Sequence, residues 1–173
     1  MEELGLSAEE LPEIELRSVA GLELHRRIVQ SVQDQWRSTL GIKNVVFREA
    51  EWSVHYDSIS KGDYDVGFMG WCISIPDSLF LLNTFKDKNE SPNKSKWENP
   101  HYKKCLDQAN LTVCEIERVR ILSEAENLLI NEMPVIPLCF IKQRFAKNPR
   151  LKGEQLSPFH FIDFKSAYFE NEN

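Results

Sequence analysis

The chain of 173 residues carries 27 acidic against 21 basic side chains, a formal net charge of -6, and 42% hydrophobic residues. That composition supports one ordinary hydrophobic core and excludes a collagen-like or disordered chain. Basic residues do not cluster as a phosphate-tracking groove requires, so nucleic acid is not an expected partner.

No apolar run reaches the roughly 18 to 20 residues of a membrane-spanning helix. Met1-Glu2-Glu3-Leu4 has neither the basic flank nor the apolar stretch of a signal peptide. Four cysteines, Cys72, Cys105, Cys114 and Cys139, are too few for a disulfide framework and form no C-x-x-C pair. Most are expected to be small buried hydrophobes.

In chain order, residues 13–19 alternate polar and apolar with the period of a half-buried strand. After Gly21, Ile28, Val32, Trp36 and Leu40 recur every four residues, with Val29 beside them, which predicts an amphipathic helix ended by a glycine cap at Gly41. Residues 42–48, with Val45, Val46 and Phe47, read as a second strand. Strand, helix and strand within about forty residues make a βαβ unit and hence a parallel sheet.

Residues 53–61 predict a short helix stopped at Gly62, and residues 64–71 a third strand running into an irregular loop through Pro76. Ligand sites in open α/β sheets gather at such strand ends. Residues 86–100 hold Lys, Asn, Ser, Glu and Pro almost exclusively and predict a solvated loop.

Two helices follow, over 99–112 and 115–132. The second carries Val119, Leu122, Ala125 and Leu129 on one face. Residues 135–141 are nearly all apolar and predict a buried strand, and 159–169 form an aromatic-rich closing segment.

Against this pattern, Leu40-Gly41-Ile42, Glu51-Trp52, Lys61-Gly62-Asp63-Tyr64-Asp65, Gly70-Trp71 and Pro76-Asp77 stand in a distinctive order. Trp97-x-Asn99-Pro100-x-Tyr102, Ala125-Glu126, Met133 to Leu138, and Ile162-Asp163-Phe164-Lys165-x-Ala167-Tyr168 continue it. In order and spacing these motifs resemble the C-terminal lobe of solute-binding proteins of family 5, a family that includes oligopeptide, dipeptide, glutathione, nickel and haem receptors. The match runs from about Pro12 to Tyr168.

The resemblance implies an α/β fold, one lobe of a periplasmic binding protein type II fold, with a mostly parallel sheet flanked by helices. It implies that residues 1–157 are the second, C-terminal ligand-binding lobe. Residues 158–173 would be a tail that in a full-length receptor returns to the first lobe, the first lobe and signal peptide being absent from this fragment. The implied function is a receptor of an ABC importer, not an enzyme, located in the periplasm or lipid-anchored on the outer face of the cytoplasmic membrane. It would close on an oligopeptide between two lobes and deliver it to the permease subunits. Closure of this kind requires the ligand to contact both lobes in the closed state.

Ligand-facing positions implied by the resemblance are Trp52, Phe68, Gly70, Trp71, Cys72, Ser74 and Asp77. Gly70 to Cys72 match a strand end whose backbone pairs with a peptide main chain as an added strand. Gly70 allows close approach and Trp71 offers an apolar wall. Ser74 stands where peptide receptors of the family commonly carry an aspartate for the ligand's α-amino group. A hydroxyl gives a weaker bond than a charged carboxylate, which leaves a glutathione, nickel-chelate or haem ligand open.

Asp77 reads as the cap of a helix starting at Ser78. Trp52 fits a ligand wall and a structural helix start equally. Ile59, Ser60 and Phe68 replace Arg and His found in some peptide receptors, so a less polar pocket is expected. No two histidines share metal-ligand spacing on one helix face, and no metal or cofactor is expected. A thiol-dependent enzyme using Cys72 is the alternative from another class, although a disulfide suits that cysteine better in an oxidising compartment.

Overall fold

The computed structural model describes residues 7–142, 144–157 and 161–170. The chain divides into two compact units, residues 1–71 with 91–95, and residues 72–90 with 96–173.

The first unit is built on a parallel sheet. Strand β1 (Ile14–Val19) lies between β2 (Val45–Ala50) and β3 (Val66–Gly67), in the order β2-β1-β3. Ile14 pairs with Val45 and the register runs to Val19 opposite Ala50, while Leu16 pairs with Val66 and Arg17 with Gly67.

Helix α1 (Glu23–Leu40) connects β1 to β2, and α2 (Trp52–Lys61) connects β2 to β3. Successive strand side chains point to opposite faces, and each face of β1 meets its own partners. Leu16 packs with Val29 of α1, Ile42 and Val45, joined by Ile14, Val32, Trp36 and Phe47. On the other face the Arg17 guanidinium donates to Glu15 at 2.6 Å and to the Ser58 hydroxyl of α2 at 2.5 Å. The polar half of the alternating strand is thereby bound to α2.

Both helices stop where the glycines predict. Gly41 has φ of 70° and donates its N–H to the Trp36 carbonyl, and Gly62 has φ of 80° and donates to Ile59 and Ser58. Such left-handed caps satisfy the last helical carbonyls without a Cβ penalty.

The predicted third strand over 64–71 is reduced to Val66–Gly67, extended by one bond from the Phe68 N–H to the Arg17 carbonyl at 2.8 Å. At its start the Asp65 carboxylate accepts the Glu15 N–H at 2.8 Å, taking a donor the ladder would otherwise use. β1 itself runs on to Val19 before it turns through Gly21, whose φ is 85°, while the chain after Phe68 leaves the ladder. The predicted loop over 86–100 is not uniformly solvated, because Asn93 is buried and residues 91–95 pack as part of the first unit.

The second unit is helical: α3 (Ser78–Leu82) leading into a 3-10 turn (Asn83–Phe85), α4 (Pro100–Leu111) and α5 (Glu115–Glu132). Asn99 caps α4 by accepting the N–H groups of His101 and Tyr102, with Pro100 at the first helical turn. Its core joins Leu79 and Leu82 to Tyr102, Cys105, Leu106 and Ala109 of α4 and to Ile121, Leu122, Ala125 and Leu129 of α5. Fully buried Tyr102 donates its hydroxyl to the Leu82 carbonyl at 2.6 Å, and burial pushes its pKa up.

Val119, expected on the inner face of α5, is exposed, and Ile121 takes that place. Arg118 draws that side of the helix inward: its guanidinium reaches the Asp77 carboxylate and the Ala109 carbonyl.

Two further expectations are corrected. Residues 135–141 form no strand, and Ile136, Leu138, Phe140 and Ile141 are exposed. An apolar run becomes a strand only beside another strand edge, and Pro137 also lacks the N–H that a ladder needs. Among the cysteines only Cys105 is buried. Cys72, Cys114 and Cys139 are exposed and all four are free thiols, because the three lie in a loop, at the start of α5 and in the uncovered 135–141 run.

Two small antiparallel pairs close the described chain: β4 (Leu151–Lys152) with β7 (Tyr168–Phe169), and β5 (Gln155–Leu156) with β6 (Ile162–Asp163). The first residues of the predicted aromatic segment, 159 and 160, lie outside the described residues.

Candidate functional site

In a parallel sheet every strand delivers its carboxyl end to the same edge. At that edge of the first unit β1 leads into the start of α1, β2 into Trp52, and β3 into Phe68, Met69, Gly70 and Trp71. Four of the seven predicted ligand-facing residues, Trp52, Phe68, Gly70 and Trp71, are thus gathered by topology.

Phe68 is the fixed point of this edge. Its N–H is held by Arg17, and its carbonyl accepts from His55 Nε2 at 3.1 Å. Its side chain packs against the core around Leu16 and Val29. The His25 ring meets the Phe68 ring edge-on at 4.9 Å.

Two imidazoles, from the first turn of α1 and from α2, therefore flank a strand end that the sequence predicts to be less polar. Burial lowers the pKa of His25, and burial is also the main cause of the lowered pKa of His55, with Arg17 and His25 adding charge repulsion against the Phe68 hydrogen bond. Both rings are held neutral at pH 7. Among the described residues the Nδ1 atoms of both histidines and the Ser18 hydroxyl are buried without a hydrogen-bond partner.

Gly70 sits differently from the other glycines. A Cβ built there meets only His25 Nε2, at 3.8 Å, an ordinary contact. The fold therefore does not require a glycine at this position, and the residue leaves the backbone open to an approaching group.

Trp71 and Trp52 are half-exposed. The Trp52 ring lies 5.9 Å from that of Tyr56, tilted by 31°. Lys94 Nζ stands 4.3 Å above the Tyr56 ring, 3.1 Å from its hydroxyl and 2.9 Å from the Ser60 hydroxyl. Lys94 lowers the Tyr56 pKa through that hydrogen bond and its charge. The result is an aromatic ledge with a fixed cation. A separate hollow of about 300 Å³, lined by Glu15, Arg17, Gly62, Asp63, Tyr64 and Asp65, contains none of the predicted residues.

The division between the two units falls between Trp71 and Cys72, so Cys72, Ser74 and Asp77 belong to the second. Cys72 and Ser74 are exposed. Asp77 accepts the Leu79 N–H at 2.9 Å as the cap of α3, and both its oxygens take the Arg118 Nη2, at 2.9 and 2.7 Å. Arg118, then the capping bond, holds the Asp77 pKa below the ordinary carboxylate range. The capping role read from the sequence is the one observed, and the carboxylate is committed to partners of its own unit.

His25, His55, Tyr56 and Lys94, which stand beside the predicted residues, carry no signal in the sequence that marks them as candidates. Each lies on an element other than the motif-bearing strand end, and only the sheet topology and the return of residues 91–95 assemble them.

No family model matches the chain. Over 171 residues the chain is 36% identical to the oligopeptide-binding protein OppA of Bacillus subtilis, a match covering 98% of this chain and 31% of that protein. Over 143 residues it is 30% identical to the dipeptide-binding protein DppE of the same organism, covering 83% of this chain and 26% of that protein. The crystal structure of Haemophilus influenzae OppA in complex with RPPGFSPFR superposes with a TM-score of 0.82 and 25% identity, over 97% of this chain and 33% of that one.

The fold is that of a periplasmic solute-binding protein, α/β, with a parallel three-stranded sheet and five α-helices among the described residues. Within that class, the chain belongs to solute-binding protein family 5, with the oligopeptide- and dipeptide-binding proteins. It spans about a third or less of the length of the curated relatives it matches.

Proposed function

We propose that this chain is the second lobe of a peptide receptor of an ABC importer, with the strand end from Phe68 to Ser74 facing the interlobe cleft. In this reading residues 1–157 form the lobe, residues 158–173 return to a first lobe encoded upstream, and the closed receptor hands its peptide to the permease subunits. It works in the periplasm or tethered to the outer face of the cytoplasmic membrane. The observation that carries the reading is the 36% identity with an oligopeptide-binding protein across nearly the whole chain.

The geometry supports it at Gly70, where open backbone beside half-exposed Trp71 suits main-chain pairing with an extended ligand. Trp52, Tyr56 and Lys94 supply a wall for ligand side chains. With Ser74 in place of an acid and Asp77 bound to Arg118, neither residue offers a free carboxylate to a ligand's amino group, and a glutathione, nickel-chelate or haem ligand stays the alternative within the family. The relatives are binding proteins, and the chain is read as a binder, with no thiol chemistry assigned to Cys72.

The test is a titration of the receptor, this lobe joined to the upstream lobe, with a pool of di- to nonapeptides, followed by tryptophan fluorescence. Saturable binding that is weakened in Gly70→Val supports the reading. Failure to bind any peptide, or an upstream sequence lacking another lobe, overturns it.

A further inference from the structure

The side chains of His101 and Cys105 stand one turn apart on α4, and residues four apart share a helix face. Glu124 of α5 meets them there. His101 Nε2 lies 2.9 Å from Glu124 Oε1 and 4.0 Å from Cys105 Sγ, and the three donor atoms all lie within 4.8 Å of one another. We propose that His101, Cys105 and Glu124 bind a zinc-like divalent cation that ties α4 to α5, a site independent of the peptide reading.

The dimensions fit. Tetrahedral zinc at about 2.0 to 2.2 Å from nitrogen and oxygen and about 2.3 Å from sulfur sets ligand-to-ligand edges of roughly 3.3 to 3.6 Å. The 2.9 Å pair needs to open slightly, and the two pairs that include Cys105 Sγ, one at 4.0 Å and the other within 4.8 Å, need to close. Rotamer adjustments of two half-exposed side chains accomplish both, since His101 and Glu124 are 55% and 44% exposed. The backbones stay where packing of Tyr102, Leu106, Ile121 and Ala125 holds them.

Chemistry selects the class of ion. One imidazole, one thiol and one carboxylate suit a borderline-soft cation such as Zn(II) or Co(II), whereas Mg(II) and Ca(II) take oxygen ligands. Cys105 forms the buried floor of the site and the other two ligands its open rim, so solvent supplies the fourth ligand as water.

Binding is coupled to protons. Burial first, then the charge of Glu124, pushes the Cys105 thiol up, partly offset by Lys104. The metal-free thiol is therefore protonated at neutral pH. When the cation enters, the S–H bond breaks, the sulfur becomes a thiolate ligand and its proton passes to solvent. His101 binds through Nε2, with its own proton on Nδ1.

The test uses the full 173-residue chain with Cys72, Cys114 and Cys139 changed to serine, because these exposed thiols would otherwise bind metal as well. Cobalt(II) chloride is titrated in under reducing conditions, and the near-ultraviolet thiolate-to-cobalt absorption is followed. One equivalent with that absorption, displaced by Zn(II), is the expected result. His101→Gln and Glu124→Gln each lie at the rim and spare the core, so circular dichroism should be unchanged while affinity falls at least about ten-fold. Absence of the thiolate absorption at one equivalent, or unchanged affinity in either variant, overturns the proposal.

Discussion

His55 Nε2 donates to the carbonyl oxygen of Phe68 across 3.1 Å and so fastens helix α2 to the strand end that opens the candidate site. The carbonyl can only accept, so the proton is on Nε2. Buried Nδ1 is left without a partner among the described residues.

That arrangement makes the first unit sensitive to mild acid. The pKa values of His25 and His55 are lowered in the folded state, chiefly by burial. Below the ordinary histidine value of about 6.5 the unfolded chain takes up protons that the folded chain resists, so stability rises with pH in that window. The contribution is complete above about 6.5 and declines as pH falls toward the folded values. Thermal unfolding followed between pH 7.5 and 5.5 should show a falling Tm, and His25→Gln with His55→Gln together should flatten the slope. A slope unchanged in the double variant would refute the assignment.

Gly67 and Gly70, three residues apart, should respond unequally to alanine. A Cβ at Gly67 falls 2.1 Å from Cδ1 of Ile59, itself only 2% exposed and unable to retreat. Gly67→Ala should cost about 1 to 3 kcal/mol by overpacking. Gly70→Ala should stay within about 0.5 kcal/mol of the parent. Urea denaturation distinguishes them.

Asp77 can be dissected in two steps. Asparagine caps a helix as well as aspartate does, so Asp77→Asn removes only the ion pair with Arg118, a loss of about 1 kcal/mol for this partly exposed pair. Asp77→Ala removes the cap too and should cost about 1 kcal/mol more. Because the folded pKa is depressed, the aspartate's contribution is fully present above the ordinary value and disappears as pH falls through the folded one. The gap between parent and Asp77→Asn should accordingly close in strong acid. Denaturation curves at two pH values measure it.

The uncovered run at 135–141 should make the isolated chain associate with itself. Phe140 is completely exposed, with Ile136, Leu138 and Ile141 beside it, and exposed apolar segments of high strand propensity invite pairing between copies. Sedimentation velocity should show concentration-dependent association that Leu138→Lys with Phe140→Lys suppresses.

Local rules in the sequence forecast the first unit well. Glycine caps at Gly41 and Gly62, the alternating strand at β1 and the βαβ order all depend on neighbours close in sequence. So does the Asp77 cap. Expectations failed where a distant residue decides. Val119 lost its place to Ile121 because Arg118 answers to Asp77 and Ala109, and residues 135–141 had apolar character without a strand to pair with. The expected burial holds for Cys105, which the packing of α4 on α5 covers, and fails for Cys72, Cys114 and Cys139. The site followed the same division. In the proposed site, Gly70 and Trp71 are named from motif order, whereas His25, His55 and Lys94 arrive beside them from elsewhere in the chain.

Residues 91–95 have a consequence for how the protein is made. They belong to the first unit, where the Tyr64 hydroxyl donates to the Lys94 carbonyl at 2.8 Å and Lys94 lies over Tyr56, yet residues 72–90 of the other unit precede them. A ribosome therefore cannot release a finished first unit when residue 71 emerges. Its sheet can assemble early, but the last piece of the aromatic ledge arrives only after the chain has left for the second unit and come back, so the two units are coupled in time during synthesis.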